Sequence, residues 1–187
     1  MPQPPKIAIC GPGRSGKDEA ARWLASHTKL RFTRSTSEVI APHAAARLGK
    51  GIAESFAERH ENRQFWFDVG NELRAGDPAY LVRECLRGGE IVVGLRNADE
   101  VVEARRVGLV DLFIWIERDV LRDHTQTFGP ELCDVVIPNN GSLEEFFGKL
   151  AALARFAGLS SPPDTFQQRP LRTGDHANQA TAPVTTG

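Results

Sequence analysis

A segment near the N-terminus combines residue types that could bind phosphate. It comprises Gly11, Pro12, Gly13, Arg14, Ser15, Gly16, Lys17 and Asp18. Glycines permit turns that aim successive backbone N–H groups at one phosphate chain, and the lysine would reach the β- and γ-phosphates. A tight turn that needs glycines for its geometry alone is the alternative, but it gives no reason for Lys17 or for the Arg14-Ser15 insert.

The flanking sequence supplies the context that phosphate binding requires. The apolar run 6–10 predicts a strand before the segment, and apolar spacing over 19–26 predicts a helix after it. The spacing from Gly11 to Gly16-Lys17 is the Walker A pattern, so we predict ATP as the nucleotide and Mg²⁺ as its ion. Asp18 stands where Ser or Thr normally gives magnesium a hydroxyl, and is therefore the predicted metal contact, acting through water.

Composition restricts the class of protein. The chain has 187 residues, 41% hydrophobic and 25% charged, which fits one compact domain. Its formal charge of −1 lacks the global positive potential of nonspecific nucleic-acid binders. Three scattered cysteines suit a reducing compartment, and no stretch approaches the roughly 20 apolar residues that a spanning helix needs. A cytoplasmic protein with no membrane partner is expected.

Further along the chain, short apolar runs alternate with segments of helical periodicity. Strands are predicted at 30–33, 90–94, 112–116 and 135–137. Helices are predicted at 39–48 beginning near Pro42, within 52–73 with a break around 58–63, at 77–86, at 101–107 and at 143–156. This alternation predicts an α/β domain with a parallel sheet over residues 1–157. Residues 158–187 lack apolar periodicity and are predicted to be a disordered tail.

Several motifs resemble phage deoxynucleoside monophosphate kinases. The Ser-Gly-Lys-Asp ending of the loop resembles theirs and that of animal-type phosphomevalonate kinases. Residues 70–78 resemble a Gly-x-Glu-x-x-Arg element followed by Asp, and residues 91–100 resemble a strand ending in Asp-x-Arg, with Gly94 in place of the carboxylate. Residues 133–143 resemble the closing strand and turn, where 139–141 either lie near the adenine or serve the turn alone. The resemblance implies a three-layer P-loop NTPase fold of the nucleoside-kinase type, with a mainly parallel sheet.

The resemblance also implies roles for downstream residues. Arg74 and Asp77 are candidate substrate contacts, and Arg96 would neutralise a phosphate or the transferring group unless it is a solvated arginine at a helix start. Asp68, Glu72 and Asp77 are the nearest candidates for a base that orients the acceptor, although each could simply lie on a solvated helix. The predicted catalytic residues are therefore Lys17, Arg96 and Asp68.

The acceptor is less evident from the sequence. Arg34, Ser35 and Ser37 could hold a nucleotide, or form a turn that caps the next helix. The loop ends in Ser-Gly-Lys-Asp, and a Ser-Thr-Ser turn at 35–37 leads to Val-Ile-Ala-Pro at 39–42. In this the compact chain is similar to phage P-loop kinases that phosphorylate 5-hydroxymethyluracil within DNA during thymine hypermodification. The resemblance implies DNA containing that base as the partner and the host cytoplasm as the location. An extruded base would then need stacking aromatics, and flanking phosphates a basic rim. The candidates are Phe65, Trp66 and Phe128 for stacking, and Arg31, Arg34, Arg47, Arg59 and Arg63 for the rim.

Three other functions remain open at this stage. A kinase for free deoxynucleoside monophosphates shares the loop and the fold, although its usual arginine-rich lid would be reduced here to Arg118 and Arg122. A nucleotide-dependent switch protein is compatible with the missing carboxylate at Gly94. A phosphomevalonate-type kinase ranks last, because its small anionic acceptor would need a denser cluster of basic residues.

Overall fold

One parallel sheet lies between two layers of helices in the computed structural model, which describes residues 3–120 and 124–159. The strands β1 (Ile7–Cys10), β2 (Ile91–Val93), β3 (Leu112–Glu117) and β4 (Val135–Pro138) lie in the order β2-β1-β3-β4. All three neighbouring pairs are parallel. The predicted three-layer α/β fold is therefore confirmed.

Helices cover both faces of this sheet. In chain order they are α1 (Lys17–His27), α2 (Thr36–Leu48), α3 (Ile52–Ala57), α4 (Arg63–Arg74), α5 (Tyr80–Leu86), α6 (Ala98–Arg106) and α7 (Leu143–Phe156), with 3₁₀ turns at Glu58–His60 and Pro130–Leu132. Helices α1 and α7 cover one face, and α2, α4, α5 and α6 cover the other. Strands buried on both faces explain the continuous apolar runs in the sequence.

Side chains of each strand alternate between the two cores. Ile7 and Ile9 of β1 pack with α1 and α7, whereas Ala8 and Cys10 pack with the helices of the opposite face. All four are fully buried. Because β1 is held on both sides, the loop that follows it starts from a fixed point at the carboxyl edge of the sheet, where ligands of open α/β sheets bind.

The strand predicted at 30–33 is wrong. This segment runs beside β2, and the carbonyl of Arg31 accepts from the backbone N–H groups of Glu90 and Ile91 at 2.9 and 3.2 Å. The backbone N–H of Arg31 donates to the Glu90 carboxylate at 2.9 Å rather than to a strand carbonyl. A side chain therefore replaces the backbone partner that would have continued the ladder.

The predicted start of the second helix is also wrong. Helix α2 begins at Thr36, not near Pro42, because Ser35 and Glu38 form a reciprocal capping box. Pro42 lies inside the helix on its exposed side, where water can serve the carbonyl that lacks a helical donor. Asn97 and Glu100 form a second such box, so α6 begins at Ala98, before the predicted 101.

The described chain ends against the second core. Leu159 is buried among the residues that pack α7 on the sheet, and its N–H donates to Ala154 at 2.8 Å. Most of the predicted tail, residues 160–187, lies outside the described residues, as does Arg122 of the sparse lid. Within the described ranges, no helix has the length and apolar character needed to cross a membrane.

Candidate functional site

The loop between β1 and α1 has several residues with backbone angles that residues other than glycine rarely adopt. Gly11 and Gly16 have φ angles of 137° and 99°, in the region that favours glycine. A Cβ at position 11 would lie 2.5 Å from the carbonyl oxygen of Ile116. Arg14 also adopts a left-handed φ, of 62°, and is the one non-glycine residue to do so among those described. Such strain occurs preferentially where a ligand needs a particular backbone shape.

Two distant side chains hold this loop in place. The Asn139 Nδ2 group donates to the carbonyl of Ser15 at 2.8 Å, and a Cβ at position 16 would lie 2.5 Å from the same nitrogen. The Arg118 guanidinium donates to the carbonyl of Arg14 at 3.4 Å. Asn139 was predicted either to lie near the adenine or to serve a turn; in the structure its side chain contacts the loop between β1 and α1, and its relation to an adenine stays a prediction. Its amide fixes the loop before any ligand arrives.

Lys17 is buried at the first position of α1, at only 7% exposure. Its ammonium group donates to the carbonyl of Pro12, so it folds back over the loop. Burial, and after it the charge of Arg96, lowers the pKa of Lys17 from 10.5 to about 8. The hydroxyl of Ser15 is also buried, with no hydrogen-bond partner within the described ranges. The loop therefore holds a poorly compensated cation, as a site for a polyanion would.

Asp18 is the candidate contact for magnesium. It is exposed in the first turn of α1, directly after Lys17. No cluster of three or more His, Cys, Asp or Glu side chains that could hold a metal occurs in the described part of the chain. Magnesium in nucleotide sites is typically bound by one or two carboxylates, substrate phosphates and several waters. A single carboxylate beside a phosphate loop therefore fits magnesium that arrives with a nucleotide.

A cavity of about 70 Å³ lies beside the loop. This volume is smaller than the roughly 300 to 1,000 Å³ of typical ligand pockets. Its described lining contains four arginines and no Asp or Glu: Arg59, Arg63, Arg74 and Arg96. Two aromatic residues, Trp66 and Phe67, and three hydroxyl residues, Thr36, Ser37 and Thr125, also line it. Guanidinium and hydroxyl groups with an aromatic surface are suited to a ligand that carries phosphate and a ring.

Two arginines connect this cavity to the loop. A Cβ at Gly13 would lie 2.9 Å from Nη1 of Arg63, so this guanidinium lies against the loop. Arg96 is close enough for its charge to lower the pKa of Lys17, and its Nη1 donates to the Thr125 hydroxyl at 3.3 Å. The predicted catalytic pair Lys17 and Arg96 is thus brought together, at the boundary between loop and cavity.

Arg74 lines the cavity from α4 and has a buried counter-ion. Its Nη1 lies 3.2 Å from Oε1 of Glu100, which is fully buried. Burial raises the pKa of Glu100, against the opposing charge of Arg74. The Oε2 of Glu100 accepts from the backbone N–H groups of Arg96 and Asn97 at 3.0 and 2.9 Å. Arg74, the predicted substrate contact, therefore lines the cavity, whereas its counter-ion Glu100 lies behind the lining and was given no role from the sequence.

In the segment predicted to hold the acceptor, some residues stabilise the fold and others line the cavity. Arg34 donates to the carbonyl of Glu84 at 2.6 Å and does not line the cavity. Ser35 caps α2, which is the alternative that the sequence left open. Ser37 lines the cavity, and so does Thr36, whose hydroxyl donates to the carbonyl of Gly94 at 2.9 Å.

Two predicted carboxylates lie outside the cavity. Asp68 is exposed on α4 and accepts from Gln64 at 2.8 Å. Asp77 accepts from the backbone N–H of Ala79 and from the Arg83 guanidinium, at 3.0 and 2.9 Å, and so organises the start of α5. Along α4, the positions that line the cavity are 63, 66, 67, 70 and 74, whereas position 68 does not. The structure therefore offers Asp68 no contact with an acceptor in this cavity.

His60 and Trp66 both line the cavity, but the sequence offered no reason to place His60 in the site and marked Trp66 mainly as a core residue. His60 lines the cavity and its Nδ1 lies 3.1 Å from Arg63, while burial and the nearby arginines lower its pKa. Trp66 is 6% exposed, and its indole N–H has no partner among the described residues. The other predicted stacking residues pack in the core instead, Phe128 against Trp115. Helical spacing marks Trp66 and Phe65 equally as core, so only the fold separates them.

Comparisons with known proteins give limited information. No protein-family model matches the chain, and no curated protein sequence matches it. Among solved structures, TT1252 from Thermus thermophilus is similar, with 17% sequence identity over 86% of this chain and 100% of that chain, and a TM-score of 0.47. Roles for the site residues are therefore inferred from the geometry of the site and from the sequence motifs.

Proposed function

We propose that this chain is an ATP-dependent phosphotransferase whose acceptor is a nucleotide bound in the arginine-lined cavity. The observation that carries the proposal is the position of that cavity directly beside the loop of Lys17, with Arg63 and Arg96 at the boundary between them. Phosphoryl transfer requires a held triphosphate, cations around the transferring phosphorus and a positioned acceptor oxygen. The described residues supply groups for each of these.

The loop would hold the triphosphate before reaction. Backbone N–H groups of residues 13–16 and the N-terminus of α1 favour phosphate, and the Lys17 ammonium adds a full charge in a site of low exposure. Asp18 would hold hydrated magnesium, which neutralises phosphate charge when bound. Because Asn139 and Arg118 already fix the loop, little reorganisation is needed when nucleotide binds.

Arg63 and Arg96 would act on the transferring group. Charge spreads over its oxygens in the transition state, and guanidinium groups fixed in a site with little water stabilise that charge strongly. Thr125 orients Arg96 through its hydroxyl, and α4 carries Arg63 against Gly13. Both arginines can contact the γ-phosphate side and the acceptor side of the site.

The interior charge favours an acceptor that carries its own phosphate. A phosphate oxygen is already ionised near neutral pH, so it needs orientation and no general base, which agrees with a cavity whose described lining holds no Asp or Glu. A free deoxynucleoside monophosphate meets this requirement. Trp66 and Phe67 offer apolar surface for its base.

A hydroxymethyl group of 5-hydroxymethyluracil in DNA is the second candidate acceptor, and the resemblance of the loop and of residues 35–42 supports it. The basic rim expected for flanking phosphates is weaker than predicted. Arg31, Arg34 and Arg47 pair with Glu90, Glu84 and Glu72. Arg59 and Arg63 line the cavity and could still contact phosphates beside an extruded nucleotide.

Transfer from γ-labelled ATP tests the proposal. Purified protein with Mg²⁺ would be offered each free deoxynucleoside monophosphate, duplex DNA with 5-hydroxymethyluracil and the same duplex with thymine, and Lys17→Met would be the control. Label on a free monophosphate supports the first acceptor, and label on hydroxymethyluracil DNA alone supports the second. ATP binding with no label on any acceptor would contradict a kinase and favour the nucleotide switch.

A further inference from the structure

Glu100 is the capping residue of α6, yet its surroundings differ from those of the other capping carboxylates. Three capping boxes occur among the described helices, with Glu38, Glu100 and Glu145 as their acidic members. Glu38 and Glu145 are exposed, whereas Glu100 is fully buried. A cap needs no burial, and burying a carboxylate is unfavourable unless it is paired and hydrogen-bonded. Glu100 therefore does more than begin a helix.

Its two oxygens contact the two elements that carry cavity arginines. Oε2 accepts from the backbone N–H of Arg96 at 3.0 Å and of Asn97 at 2.9 Å. Oε1 lies 3.2 Å from Nη1 of Arg74, on α4. One carboxylate thus fixes the backbone that bears one cavity cation and the guanidinium of another.

The arrangement around Arg74 leaves this guanidinium little freedom. Its Nη2 donates to Asn71 Oδ1 at 2.5 Å, and it packs over Gly70, where a Cβ would lie 3.2 Å from Nη1. Arg74 is 7% exposed and still lines the cavity. The thiols of Cys10 and Cys85 are the other titratable groups that sense the charge of Glu100, from β1 and α5.

We propose that Glu100 is a positioning residue, which holds Arg74 and Arg96 so that both address the phosphate of one acceptor monoester. The inference rests on the proposed function and adds to it the residue that sets the acceptor site. Glu100 itself does not line the cavity and makes no contact with the acceptor. It acts through Arg74, because without Glu100 the Arg74 side chain could adopt other rotamers.

The variant Glu100→Gln keeps an oxygen for the two backbone N–H groups and removes the charge that faces Arg74. Misplacement of a binding group by about 1 Å can reduce the rate up to about 100-fold. We expect kcat/KM for the acceptor to fall about 10- to 100-fold through KM, with the KM for ATP changed less than about twofold. Glu103→Gln is the matched control, because Glu103 lies on the same helix but pairs at the surface with Arg106.

A double-mutant cycle separates an effect of Glu100 on acceptor binding from an effect of the substitution on folding. Arg74→Gln and the double variant R74Q/E100Q are measured together, and the double variant leaves no unpaired buried charge. If Glu100 acts through Arg74, both have the same acceptor KM, whereas a further loss of more than about twofold in the double variant would overturn the inference. If wild type is active and E100Q matches E103Q, the inference alone fails. If wild type transfers no label, the proposed function fails, and the inference with it.

Discussion

Replacing Lys17 by methionine is expected to stabilise the nucleotide-free protein while it abolishes nucleotide binding. The ammonium group is buried and forms no ion pair with a carboxylate among the described residues; it donates a hydrogen bond to the carbonyl of Pro12. Binding sites commonly hold such unfavourable charges ready for a ligand. Methionine has a similar length and apolar character, so it can fill the same space.

The magnitude follows from the lowered pKa. A fall from 10.5 to about 8, at about 1.4 kcal/mol for each pKa unit, means that the charged Lys17 costs the folded state about 3 kcal/mol. Loss of the hydrogen bond to Pro12 offsets about 1 kcal/mol. The net gain of about 2 kcal/mol corresponds to a rise of roughly 4 to 8 °C in Tm for a domain of this size.

The gain should depend on pH in a defined direction. Below pH 8 Lys17 is protonated in both folded and unfolded wild type, so the full cost is present. Between pH 8 and 10.5 the unfolded chain binds more protons than the folded one, and wild-type stability rises with pH relative to the variant. The advantage of Lys17→Met should therefore shrink by about 1.4 kcal/mol per pH unit over that window.

Thermal melting followed by circular dichroism, without nucleotide and at pH 7.0, 8.5 and 10, measures this difference. Lys149→Met is a close control, because the Lys149 ammonium also donates to a proline carbonyl, that of Pro138 at 2.8 Å, but is exposed. The control should shift stability by no more than about 0.5 kcal/mol. A Lys17→Met variant less stable than wild type at pH 7, or one whose advantage is unchanged at pH 10, would refute the reasoning.

Three further outcomes are expected. Arg74→Gln should lower the free energy of unfolding by about 3 to 5 kcal/mol in urea titrations, because Glu100 is left buried without its counter-ion. An unchanged midpoint would show that the pair is not formed. Asn139→Ala should raise the Kd for ATP about five- to tenfold through the lost bond to the phosphate loop, while Asn140→Ala, which removes a bond to Asp119, should leave it within about twofold. Asp68→Asn should keep kcat/KM within about twofold, since its exposed carboxylate lies outside the cavity; a large loss would restore it as a base.

The sequence predicts the parallel sheet, and the glycine-rich turn between β1 and α1, because both depend on local patterns. Continuous apolar runs mark β1, β2, β3 and β4, and glycine spacing marks the loop. Where a side chain replaces a backbone partner the pattern fails, as at 30–33, where the Glu90 carboxylate takes the N–H of Arg31. Ser35 and Glu38 have the spacing of a capping box and mark the start of α2, but Pro42, a residue common at helix starts, favoured a later one.

The site away from the loop depends on contacts between distant parts of the chain. Asn139 reaches the loop across 124 positions of sequence, and no local feature distinguishes it from a turn asparagine. Asp68 and Trp66 both lie on α4, and helical periodicity alone cannot say which faces a cavity formed with α2 and the segment that follows β2. Glu100 carries a capping signature, but its ion pair with Arg74 joins positions 26 residues apart, and local sequence does not reveal it.

Calorimetric titration of the wild-type protein with ATP and Mg²⁺, beside Lys17→Met, tests most directly whether residues 11–18 bind a triphosphate. We predict saturable binding to wild type at one site and a loss of at least about 100-fold in affinity for the variant, as expected when one partner of a buried charge pair is truncated. Absence of binding to wild type, or equal affinity of the two proteins, would contradict the assignment of this loop and the function built on it.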